Sequence, residues 1–161
     1  MNIVLRPPEA AGPLLVGALG QDTVDTLRQL GHPQVLCRTP SSRPGWAVQR
    51  PSGLFVAAYF NAHDRVEALE IGRPSDRHDA VTYHGLDVFT PPAADLVSQL
   101  RRHTTILEEE DGHALTAPDL LLSFWRSTTP QSPNDEEGRF FESVLLAQPG
   151  YYDQPDEHER R

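Results

Sequence analysis

Residues 54–60, LFVAAYF, carry no charge and are apolar at every position. In a strand, Phe55, Ala57 and Tyr59 point one way and Leu54, Val56, Ala58 and Phe60 the other. With both sets apolar, the stretch belongs at the centre of a sheet, covered on both faces. Pro51-Ser52-Gly53 and Asn61-Ala62-His63-Asp64 bracket it as turns, so Trp46 to Arg50 and Arg65 to Ile71 read as its antiparallel neighbours.

Upstream, Val24, Leu27 and Leu30 recur at three-residue steps and predict a helix over 22–30. Asp22 serves as cap, Asp25 favours the helix dipole, and Gly31 with Pro33 ends the helix. Leu14-Leu15-Val16 reads as a short strand. Residues 1–13 read as an extended lead-in, because Pro7, Pro8 and Pro13 oppose helix. Residues 38–45 read as a loop.

Downstream the order recurs. Val81 to Phe89 reads as a strand or hairpin bent at Gly85. Thr90-Pro91-Pro92 starts a helix reaching about Arg102, with Thr90 as cap and Ala93, Leu96, Val97 and Leu100 as its stripe. Thr104 to Glu109, His113 to Ala117, Leu120 to Arg126 and Arg139 to Ala147 read as strands. Asp111-Gly112 makes a hairpin turn and 127–138 a polar loop. The expected class is α+β: two tandem helix-then-antiparallel-strands units packed as a two-layer domain. The first α-β-β-β half covers 1–72, a linker 73–80, the second half 81–149, and a flexible acidic tail 150–161.

Residues 14–33, LLVGALGQDTVDTLRQLGHP, resemble the opening of the repeat in the beta-lactamase-inhibitor-like and SmpA/OmlA-like superfamily. Gly17, Val24, Leu27, Leu30, Gly31 and Pro33 carry the likeness. The resemblance implies a two-layer α+β fold and a binding protein. It transfers no functional residue, and that superfamily's secretion signal and lipobox cysteine have no counterpart here.

The 161 residues suffice for one domain with an ordinary core at 38% apolar composition. All fourteen basic residues are Arg. Together with the Ala, Gly and Pro content, that bias points to a GC-rich bacterial genome. Residues 1–50 carry five Arg against three acids, and 51–161 nine Arg against twenty, giving −9 in all. Such a surface repels nucleic acid and suits a basic protein partner, or simply keeps the chain in solution. Cys37 is the only cysteine, so no intrachain disulfide forms. No apolar run approaches a bilayer span, and the expected compartment is the cytoplasm, with no membrane partner.

No recurrent catalytic, nucleotide-binding or metal motif occurs, and no catalytic, cofactor or metal residue is assigned. His78 and His84 beside Asp76 and Asp79 read as solvated linker residues rather than a zinc site. Cys37, five residues after His32, reads as an inert thiol. Asn134 to Gly138 lacks the alternating ligands of a calcium loop. Glu108-Glu109-Glu110-Asp111 reads as a solvated hairpin edge or a patch for a basic partner.

The residues placed as partner contacts are Trp125, Arg126, Asp135, Glu136, Glu137, Tyr151 and Tyr152, because aromatics and Arg beside an acidic loop resemble interface anchors. Leu121 and Trp125 also fit the second covered face of a strand whose first face holds Leu120, Leu122 and Phe124. Three functions remain open at this point. They are a small acidic protein-binding module of the inhibitor or immunity type, a small-molecule binder or enzyme, and a self-associating structural protein. The second would use a pocket between the halves where His84, Asp87, His103 and His113 meet. Monomer and homodimer are both open.

Overall fold

A computed structural model describes residues 1–36 and 45–151. Strands β1 (Asn2–Arg6), β2 (Ala10–Ala11) and β3 (Leu14–Leu15) lead into helix α1 (Gly20–Leu30). The strands β4 (Gln34–Leu36), β5 (Gly45–Gln49), β6 (Phe55–Phe60) and β7 (Val66–Gly72) follow. Then β8 (Ala80–Tyr83) and β9 (Leu86–Asp87) lead into α2 (Ala93–Leu100). The last four strands are β10 (Leu107–Glu108), β11 (Ala114–Ala117), β12 (Leu122–Trp125) and β13 (Ser143–Ala147). The fold is mixed α and β, and mostly sheet.

Two sheets result. The larger runs β10-β11-β12-β13-β7-β6-β5-β4, antiparallel throughout, so the meander after α1 joins the meander after α2 edge to edge through β7 and β13. The smaller runs β3-β2-β1-β8-β9. Its β1–β8 contact is the one parallel pairing among the described strands. Segments 1–72 and 81–149 are therefore laced together in both sheets.

One face of the larger sheet makes the core. Val48, Val56, Ile71, Val144, Phe124 and Leu115 lie in one cross-strand row, all buried. They share a continuous cluster with Ile3, Leu5, Leu14 and Val81 of the smaller sheet and with Leu27, Leu96 and Leu100 of the helices. Each large side chain so buried stabilises the fold by about 1.5–3 kcal/mol relative to exposure. The outer-face set includes Phe55, Ala57, Tyr59, Leu145 and Trp125, and none of these belongs to that cluster.

The 54–60 stretch is central, as read, with β5 and β7 beside it. Its cover is one-sided. Leu54, Val56, Ala58 and Phe60 sit in the core, whereas Phe55 and Tyr59 are half-buried on the outer face around a buried Ala57.

Other readings need correction. The expected lead-in is a strand: Ile3 and Leu5 are buried, Asn2, Val4 and Arg6 exposed, and the prolines only end it. Neither helix is capped as read. Leu19 and Pro92 hold the cap positions without a side-chain bond, and Asp22 lies inside the first turn. Thr90 instead donates its amide, as Phe89 does, to Asp87 Oδ1 in the turn before α2. The stripes Val24-Leu27-Leu30 and Ala93-Leu96-Val97-Leu100 are buried as expected. Leu120 closes a 3₁₀ turn (Pro118–Leu120) and Leu121 is left-handed, so the strand starts only at Leu122.

Candidate functional site

The acidic hairpin and the polar loop meet at one end of the larger sheet. In the β10–β11 turn, the Gly112 amide donates to the Glu109 carbonyl at 2.9 Å, and the His113 amide to Asp111 Oδ1 at 2.9 Å. Arg126, the residue after β12, ties this turn to the far end of loop 127–138. Its Nε donates to the Gly112 carbonyl at 3.1 Å and its Nη1 to the Gly138 carbonyl at 2.8 Å. The guanidinium lies 5.5 Å from the Phe141 ring. Burial pulls the Arg126 pKa down while the Glu108 charge opposes it, and the group remains cationic.

The loop is held from within. Asp135 accepts the Gln131 and Glu137 amides, each at 3.0 Å, and these bonds hold its carboxyl below the usual range. Ser127 donates its amide and hydroxyl to the two oxygens of Glu142. Gly138 has φ of 71°, and a Cβ there would strike the Thr128 carbonyl, so only glycine fits.

Between turn and loop lies an open cleft of about 540 Å³. Glu108, Glu109, Glu110 and Asp111 form one wall, residues 129–133 the other, and Arg126 reaches in at the base. Arg101 approaches Glu108 at 3.7 Å. Trp125 stands beside this end on the outer face, opposite Ala114 and Ser143, and is 47% exposed. This overturns the covered-strand reading of Trp125: alternation gave its direction correctly, but no described element lies over it.

The sequence-predicted contact residues separate by role. Trp125 and Glu137 are exposed. Glu136 pairs with Arg139 at 2.7 Å. Arg126 and Asp135 are engaged with backbone and shape the cleft. Tyr151 is half-buried beyond the far end of β13, away from Trp125, with its amide on the Gln148 carbonyl. Tyr152 and Cys37 lie outside the described residues.

Of the four residues expected to meet between the halves, His84 and His103 come together, and both belong to segment 81–149. The rings of His84 and His103 stack with centroids 6.3 Å apart and planes at 11°. Asp87 is engaged in its own turn, and His113 Nδ1 lies 3.0 Å from the Arg126 carbonyl. Among the described residues no three His, Cys, Asp or Glu side chains gather in a way that could hold a metal.

Asp79 corrects the solvated-linker reading and was missed as a structural centre. It is 4% exposed. Arg50 Nε donates to it at 2.8 Å, Ser52 Oγ bonds the same oxygen, and the Met1 amine lies 3.1 Å from the other. Burial alone would raise its pKa. Hydrogen bonds from Arg50, Ser52 and the amine, with the guanidinium charge, outweigh burial and hold it well below the usual carboxylate range. Arg50 Nη1 also takes the Leu30 carbonyl at 2.7 Å, closing the end of α1. Asp76 and His78, nearby, pair with each other at 2.9 Å in solvent.

No helix among the described residues is long and apolar enough to cross a membrane. Comparison with known proteins returns no match to a family model, a curated protein or a solved structure.

Proposed function

We propose that this chain is a protein-binding module of the inhibitor or immunity kind, whose partner is a basic protein engaged at the Trp125 end of the larger sheet. One observation carries the reading: at this end of the larger sheet an exposed tryptophan, Trp125, is one residue along the chain from Arg126, which lines a preshaped acidic cleft. Trp is a favoured energetic anchor of interfaces, and an acidic rim steers a basic partner toward it. Arg126 fixes the hairpin turn against the loop, so little ordering remains to oppose binding. The resemblance of residues 14–33 to a superfamily of binding proteins agrees with this reading.

The same proposal extends to origin. The chain reads as a tandem duplication, because lead strands, a helix and a four-strand antiparallel meander occur twice in order, and the two meanders are arranged symmetrically about β7 and β13.

The test is capture of a basic protein from the source cell at low salt, repeated with Trp125→Ala and with Glu109→Arg/Glu110→Arg. Retention lost in both variants and weakened by salt supports the proposal. Retention unaffected by both, or no basic protein retained, overturns it.

A further inference from the structure

We propose that a second site, at the carboxyl ends of β1 and β8, binds a small organic anion with an apolar body. The argument begins with topology. These two strands run parallel in register, Asn2 beside Ala80, Ile3 beside Val81 and Val4 beside Thr82. Beyond them the chain leaves in opposite directions, β1 toward β2 and β8 toward β9. Each strand turns back in an antiparallel hairpin, and the two hairpin turns flank a crevice outside the carboxyl ends of β1 and β8.

The crevice is present, with a volume of about 410 Å³, within the range of small-ligand sites. Continuing the register places Arg6 beside His84, and both line it. Val4, Tyr83 and Leu120 supply apolar walls, and among the described residues no carboxylate side chain lines it. This contrasts with the rest of a chain of net charge −9, where an anion meets repulsion. His103 stacks on His84 from behind, and Tyr83 meets the His84 ring edge-on at 4.5 Å. Among the described residues Arg6 makes one side-chain hydrogen bond, from Nη2 to the Gly12 carbonyl, and it is long at 3.4 Å, so its other N–H groups can face a ligand.

His84 and Gly85, with φ of 50° and 76°, are the two central residues of the β8–β9 hairpin, a turn that requires both to be positive. Strain is carried by Leu121, next to the lining residue Leu120, whose φ is 54°. Conformations of this kind persist where surrounding structure imposes them, and they cluster at ligand sites. A guanidinium and an imidazole above apolar walls match a carboxylate or phosphate on a hydrocarbon body.

The experiment uses the whole chain and three probes: phenylacetate, phenyl phosphate and neutral phenylacetamide. The imidazole resonances of His84 and His103 are followed by NMR. Saturable shifts with either anion, about tenfold weaker for the amide, are expected. The tighter anion identifies the ligand as carboxylate or phosphate ester. Arg6→Gln should weaken the anion about tenfold and leave the amide unchanged, whereas Glu9→Gln, outside the lining, should change neither. Equal binding of acid and amide, full binding by Arg6→Gln, or no saturation with any probe overturns the proposal. The acid–amide comparison requires no variant to fold, and its failure leaves the protein-binding reading untouched.

Discussion

Arg50 and Arg126 perform the same mechanical task in opposite halves of the larger sheet, with different electrostatics. Each follows a strand and reaches across to close a turn. Arg50 takes the Leu30 carbonyl and a buried carboxylate, Asp79. Arg126 takes two carbonyls, and the nearby acids of residues 108–111 stay at the surface. The counter-charge of one end is therefore committed to the interior, while that of the other faces solvent and is available to a partner. A buried pair that loses one member leaves an uncompensated charge, whereas surface carboxylates have little effect on stability.

The contrast ranks the expected effects. Asp79→Asn should be the costliest of the polar changes, about 3 kcal/mol in urea unfolding at pH 7. The folded pKa of Asp79 is depressed, so its contribution is complete above the unfolded value, roughly 4, and is lost as pH falls toward the folded one. The gap between native and variant should therefore narrow below about pH 4. Parallel curves from pH 3 to 7 would show that this carboxylate is not held as described.

Arg126→Met should follow, at about 1–2 kcal/mol, because it strands two carbonyls and leaves no carboxylate unpaired. Amide exchange should accelerate around Gly112 and Gly138 while the Arg50 end stays protected. A loss equal to that of Asp79→Asn would erase the distinction between the ends. Trp125→Ala should have the smallest effect on stability, within about 0.5 kcal/mol, despite abolishing partner capture. Its neighbour Phe124, 1% exposed, is the internal control: Phe124→Ala should cost about 3 kcal/mol or more.

What was legible followed periodicity. The LFVAAYF strand, both helix stripes and the Asp111-Gly112 turn announce themselves because each is a local repeat or a local backbone requirement. Cover is not local. Phe124 and Trp125 alternate as any strand residues do, and nothing within β12 records that cover exists on one side alone. The strand Asn2–Arg6 also alternates, but three nearby prolines drew the reading toward a lead-in, and its partner lies at Ala80–Tyr83. Asp79 sits in a polar run, GRPSDRHDA, with no pattern to set it apart. Its burial comes from Arg50, Ser52 and Met1, distant in sequence. The His84–His103 stack is not local either: His84 follows β8 and His103 follows α2, and no strand pattern relates the two.

The parallel pairing of β1 with β8 also has a consequence for synthesis. During synthesis β1 must wait, one edge unmatched, until Ala80–Tyr83 emerges, and β7 must wait for Ser143–Ala147. Such late, long-range closures slow folding and hold open a window for mispairing with another nascent chain.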